Sequence, residues 1–301
     1  MRRVRRRLDN GQVTSDSARR AQLLTHSLST GESTLVFEST DRHFEAPNWT
    51  PDGERLIINS EGLLFAVPVD GGDWTPIDLG EVPGVNNDHV LSPDGDTVYV
   101  SANDGHLYAV PLVGGAPRRV SNEHDAPFRY FLHGISPDGT TLAYVGVEPY
   151  QGKEFGRASI FTIPAAGGPD TRVTDFPAPS DGPEFSPDGS WIYFNSEYAA
   201  QTPGHAQLFR MRPDGSDLEQ LTDDERVNWF PHPSPDGQVL LYLSYPPGVQ
   251  GHPADKDVIL RSMSPSGGPC TDVVAFFGGQ GTINVNSWAP DSDRFAYVAY
   301  S

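Results

Sequence analysis

Apolar residues along this chain gather into short runs rather than long stripes. TVYVSA, TLAYVGV, WIYFNS, VLLYLSY and RFAYVAY are strand-like, rich in β-branched and aromatic residues. A tetrapeptide precedes each of them. It reads TPDG at Thr50–Gly53, then SPDG at Ser92–Gly95, Ser136–Gly139, Ser186–Gly189 and Ser234–Gly237, with a degraded copy, APDS, at Ala289–Ser292. Proline presets φ for a turn, Asp follows, and Gly accepts positive φ. Before the turns stand buried-type residues: Trp49, Leu91, Ile135, Phe185 and Trp288. After the second run comes a third strand with a Gly turn, as in HLYAVPLVGG, SIFTIPAAGG and VILRSMSPSGG, and most units end in a short fourth strand such as PRRV or EQLT.

The turn prolines fall at 51, 93, 137, 187, 235 and 290, so the spacings are 42, 44, 50, 48 and 55 residues. A period in the forties is a propeller-blade length. A four-stranded unit cannot bury both faces alone, whereas a ring of such units can. The sixth copy stops at Ser301 after its second strand. AQLLTHSLSTGESTLVF, Ala21 to Phe37, supplies the missing strand–Gly turn–strand pattern. The expected fold is all-β: a six-bladed β-propeller with four antiparallel strands per blade, its last blade closed by N-terminal strands. Residues 21–301 form this single domain, and residues 1–20 are expected as a flexible basic tail.

Composition narrows the partners. The chain has 301 residues, 31 glycines and 28 prolines, consistent with many turns and few long helices. Net charge is −19, so nucleic acid and anionic membranes are not expected to bind the folded body. No run approaches the length of a membrane helix, so no membrane insertion is expected. The five arginines in MRRVRRRLDN are not followed by an apolar stretch. As written, the chain reads as cytoplasmic; a start lying upstream would make it periplasmic or extracellular. Cys270 is the single cysteine, which excludes an intrachain disulfide. A monomer is expected.

The repeat W-S-P-D-G, two aromatic-rich strands and then LY-V---GG---LT resembles the TolB-type propeller repeat over about residues 21–301. The resemblance implies a periplasmic protein with an added N-terminal domain and envelope partners; within these 301 residues that domain is not expected. Related propellers include oligogalacturonate lyases, which use a metal held mainly by histidines, and the caps of prolyl oligopeptidases. No G-x-S-x-G elbow accompanies the repeats, which argues against the cap reading.

In a propeller, links from fourth to first strands and from second to third strands share one face; the SPDG turns lie on the other. His43, His89, His124, His133, His205, His232 and His252 fall in or just inside the first kind of segment. His89 and His133 stand four residues before their turn prolines, as does Asn286; Asn48, Glu184 and His232 stand three before theirs. Regular strand alternation then rims the channel mouth with these six residues. Imidazole with carboxylate suits Zn, Mn or Fe, and His89, His133 and His232 are the candidate metal ligands. In FPHP, Pro231 and Pro233 would hold His232 in one direction. The long link SYPPGVQGHPADKDV brings His252 and Lys256 toward that mouth, and NSEYAAQTPGHA adds Glu197. The candidate catalytic groups are therefore His232, Glu184, His252 and Lys256; His89, His133, Asn48, Glu197 and Asn286 are candidate binding groups. Two functions remain open. One is a binding module for a small molecule, glycan or protein on a His-rich face. The other is a metal-dependent carbohydrate-active enzyme, a lyase or hydrolase.

Overall fold

The computed structural model describes residues 19–113 and 115–301 and is a six-bladed β-propeller. Most of the expected 1–20 tail lies outside the described residues. Blade one comprises Glu45–Trp49, Arg55–Ser60, Leu63–Pro68 and Thr75–Pro76. Blade two follows with Val85–Leu91, Thr97–Ala102, Leu107–Pro111 and Arg118–Arg119, and blade three with Arg129–Ile135, Thr141–Tyr150, Lys153–Pro164 and Thr171–Arg172. Blade four is Ser180–Phe185, Ile192–Ser196, Gln207–Met211 and Glu219–Gln220; blade five is Val227–Pro233, Leu240–Tyr245, Lys256–Met263 and Cys270–Gly278. Each is a four-stranded antiparallel sheet.

The sixth blade departs from the expected count. Its sheet has three strands, Arg294–Tyr300, Ala21–Ser27 and Ser33–Ser39. The N-terminal strand pairs directly with the last one, from Ala21 opposite Tyr300 to Ser27 opposite Arg294. The innermost position is taken by an irregular segment, residues 282–288, tied to the sheet by one bridge, Trp288 to Phe295.

The core is not one mass but six clusters between neighbouring blades. Leu56, Leu23 and Val298 lie in the cluster between blades six and one; Tyr130, Leu107 and Phe161 lie between two and three. This follows from the strands' two apolar faces, which only neighbouring blades can cover.

The repeated turns are built alike. The Ser or Thr hydroxyl donates to the Asp carboxylate two residues on at 2.5–2.6 Å, at Thr50, Ser92, Ser136, Ser186 and Ser234. The turn glycines adopt φ of +69° to +76°. A side chain on Gly95 would sit 3.3 Å from Pro51 of the preceding turn, so the turns also pack blade to blade.

All five inner strands carry an irregularity at the same level. In blade one the pairing jumps from Glu45–Asn59 to Asn48–Ile57, in blade four from Asp181–Asn195 to Glu184–Tyr193, and in blade five from Trp229–Leu243 to His232–Leu241. The bulged pairs there are Ala46–Pro47, Gly182–Pro183 and Phe230–Pro231, and the first residue of each has positive φ. A bulge leaves a backbone N–H outside the ladder, which is where proline is tolerated. Blade two has Asn86, Asn87 and Asp88 in this place, and blade three has His133.

Candidate functional site

The bulges decide which side chains enter the central channel. Each lies N-terminal to the counted residue or, in blade three, at it, so alternation holds back from the turn proline and residues three and four positions before it turn to opposite faces of their strands. The expected ring of His89, His133, Glu184, His232, Asn48 and Asn286 is therefore divided.

Residues 282–286 project into the channel and split it. His232 Nε2 donates to the Ile283 carbonyl at 2.8 Å, while His133 Nδ1 donates to the Asn284 carbonyl at 3.2 Å. Asn48 donates its amide to the Asn286 carbonyl, and Asn286 donates to Glu184. The segment braces itself through Gly281 N–H to Asn284 Oδ1 at 2.8 Å. Histidines of blades three and five thus cap carbonyls that an irregular strand leaves unpaired.

On the SPDG side lies a cavity of about 340 Å³. It is lined by Asn48, Glu184 and Asn286 beside Trp49, Trp288 and the turn prolines. Glu184 and His232 are hydrogen-bonded to each other, but His232 is 2% exposed and points at Ile283, away from either opening. His89 is fully buried. Its Nε2 donates to the Ile57 carbonyl at 3.3 Å, Nδ1 has no partner, and burial lowers its pKa to about 4.

On the loop side lies a cup of about 360 Å³, with walls from blades two to five and the inner segment of blade six rather than four and five alone. Asp88, His133, Asp181 and His252 converge there, with Asn87, Gln280 and Asn284 among the polar lining and Phe131 and Phe230 among the apolar. Asp181 anchors the group. One carboxylate oxygen accepts from the Gly182 N–H at 2.7 Å and lies 3.1 Å from His133 Nε2; the other is 3.8 Å from His252. His252 packs on the Trp229 ring at 4.4 Å and bonds to Gln280. Burial disfavours the His133 imidazolium, but the carboxylates of Asp88 and Asp181 overcome it and raise the pKa to about 9. Asp181 is held below its ordinary value despite burial, chiefly by His133. Asp88, 5% exposed, is pushed up by burial.

The remaining expected residues lie apart. Lys256 is exposed on its strand opposite Gly278, outside the cup. Glu197 accepts from the Gly204 N–H at 2.9 Å and so braces its own loop. His43, His124 and His205 bind locally, to Glu45, the Tyr130 hydroxyl and the Asp224 carbonyl. Among the described residues no group of three or more His, Cys, Asp or Glu is arranged to hold a metal ion. The donors do not fit one either: His89 and His232 face carbonyls, and both His133 nitrogens are engaged. Asp88 and Asp181 were not singled out from the sequence. The run Asn86–Asp88 in an inner strand was the available signal, because such polarity cannot serve a blade interface.

No family model matches the chain. It is 40% identical over 271 residues to the uncharacterized protein Atu1656 of Agrobacterium fabrum, covering 88% of this chain and 87% of that one. A solved structure from Agrobacterium tumefaciens, assigned as a TolB, superposes with a TM-score of 0.86 at 38% identity, over 95% of this chain and 99% of the other. TolB from Acinetobacter baumannii superposes at 0.60 with 16% identity, over 93% of this chain and 63% of that one. An oligogalacturonate lyase in complex with manganese superposes at 0.57 with 16% identity, over 84% and 72%, a likeness of fold alone. With its six blades, SPDG turns and N-terminal closure, the chain belongs to the TolB-like family of β-propellers.

Proposed function

We propose that this protein is a ligand-binding module whose site is the loop-side cup around Asp88, His133, Asp181 and His252. One observation carries the reading: ionisable side chains from four different blades converge on a single cup of about 360 Å³, and two of them, Asp88 and His133, are buried. Burying charge is costly, so a fold that needed only stability would fill this place with apolar residues. The channel below is obstructed by residues 282–286, so the cup is a dead end rather than a pore. Amides at Asn87 and Gln280 supply donors and acceptors, and Phe131 and Phe230 supply flat apolar surface, a mixture typical of sites for small polar molecules.

The ligand is a small molecule, a glycan or a protruding group of another protein; nucleic acid is disfavoured by the net charge of −19. The metal-dependent carbohydrate-active alternative is weaker, because its expected ligands His89, His133 and His232 do not form a donor set. The test is a thermal-shift screen of metabolites and oligosaccharides against the full chain and against Ala158→Leu, which narrows the cup. Ligands that stabilise the parent but not the variant support the reading; equal shifts in both place binding elsewhere.

A further inference from the structure

Asp88 singles itself out within the cup. One of its carboxylate oxygens accepts from the Asn86 amide at 2.6 Å. The other makes no hydrogen bond among the described residues, and Asp88 lines the cup. No cationic side chain among the described residues lies within ion-pair distance of Asp88, although the residue is only 5% exposed. His133 is directed at Asp181 instead. A buried carboxylate with an open oxygen, whose charged neighbour His133 is bonded to another carboxylate, is a costly arrangement unless something supplies further charge.

The rest of the cup specifies what that would be. Both imidazoles of the cup lie against Asp181, His133 at 3.1 Å and His252 at 3.8 Å, and neither is bonded to Asp88. The Gln280 side-chain oxygen is already taken by His252, and its amide reaches Asn87 at 3.4 Å. Phe131 adds an aromatic ring to the lining, where a cation is favoured, and Val145, Val147 and Ala158 form an aliphatic flank. An anion would meet two carboxylates. A guanidinium prefers a bidentate carboxylate, and Asp88 has one oxygen occupied. A compact point charge on an aliphatic stem matches one free oxygen beside an aliphatic wall.

We infer that the cup binds an alkylammonium group, its nitrogen on Asp88 and its stem along Val147 and Ala158. This rests on the reading of the cup as the binding site and names the chemistry of its ligand. The same group could reach the cup on a free amine or on a lysine side chain of another protein, and the two sources are separable.

The full-length protein is titrated calorimetrically with n-pentylamine, N-acetyl-lysine amide, 1-pentanol and a panel of neutral oligosaccharides. At least tenfold tighter binding of an amine than of 1-pentanol is expected, together with at least tenfold weakening in Asp88→Asn. Binding of both amines identifies the ammonium itself as the recognised group; binding of the lysine derivative alone identifies a protein lysine as its source. Should Asp88→Asn fold poorly, Ala158→Leu serves instead and should abolish amine binding. The inference is overturned if 1-pentanol binds as tightly as pentylamine, or if the folded Asp88→Asn variant keeps full amine affinity. Neutral oligosaccharides binding in an Ala158-sensitive manner while amines do not would overturn the ammonium assignment and leave the cup as the site. No cup-dependent binding by any probe would overturn both.

Discussion

The imidazole of His133 lies 3.2 Å from the carbonyl oxygen of Asn284, a residue 151 positions further along the chain. Blade three thereby touches the inner segment of blade six, and the same ring turns its other nitrogen to Asp181 of blade four. One bulged residue links the obstruction of the channel to the floor of the cup.

His133 should leave a mark on the pH dependence of stability. Its pKa is raised to about 9, above the unfolded value near 6.5. The folded state therefore binds the extra proton, and this stabilisation is full below about pH 6.5 and disappears as pH rises toward 9. His133→Gln should flatten the fall in melting temperature between pH 6.5 and 9. An unchanged slope would show that the ring does not hold its proton in the folded protein.

His89 acts in the opposite direction. Its pKa is lowered to about 4, so the unfolded chain takes up the proton first. The contribution is present above about pH 6.5 and is lost on acidification toward pH 4. His89→Leu should reduce the acid sensitivity of the melting temperature in that interval, measured by scanning calorimetry.

His232→Ala is expected to destabilise by about 2–4 kcal/mol, since it strips a partner from buried Glu184 and a donor from the Ile283 carbonyl. An exposed catalytic histidine would tolerate this change, and that was the natural expectation while the residue stood at a channel mouth. Chemical denaturation decides: a loss below about 0.5 kcal/mol would contradict the buried arrangement.

Ring closure depends on the N-terminal strand. Leu23 is fully buried in the cluster between blades six and one. Leu23→Ala should cost about 2–5 kcal/mol. Deleting residues 1–38 should abolish cooperative unfolding, because it bares the edge of Arg294–Tyr300. A truncated chain that melts as sharply as the parent would contradict closure by this strand.

Turn geometry offers a local test. Gly95 has φ of +76° and abuts Pro51. Gly95→Ala should cost about 1 kcal/mol or more through backbone strain alone. Ser292 holds the equivalent place in the sixth turn with φ of +61°, so the strain is bearable and the variant should still fold.

The order of the blades was legible because it is written locally. Proline, Asp and Gly specify a turn within four residues, apolar runs specify strands on either side, and recurrence at blade length leaves few architectures that bury them. The closure of the ring was legible for the same reason: half a unit missing at Ser301 and half a unit spare at Ala21 have one economical solution. The site was not written in this way. Counting back from Pro137 and Pro235 assumes that each residue reverses the face of the last. His133 is itself the extra residue of its ladder, and the slips before His232 and Glu184 change the parity only of residues further N-terminal, such as Asp181, in a way the sequence does not display. Whether His232 faces a ligand or a backbone carbonyl depended on residues 282–286 leaving the sheet, a choice set by contacts with blades one, three, four and five. Asp88 and Asp181 stand 93 positions apart and meet only because the ring brings their strands to one channel. Periodicity carries the fold, since it is short-range; the cup is a product of non-local packing and of where the ladder slips.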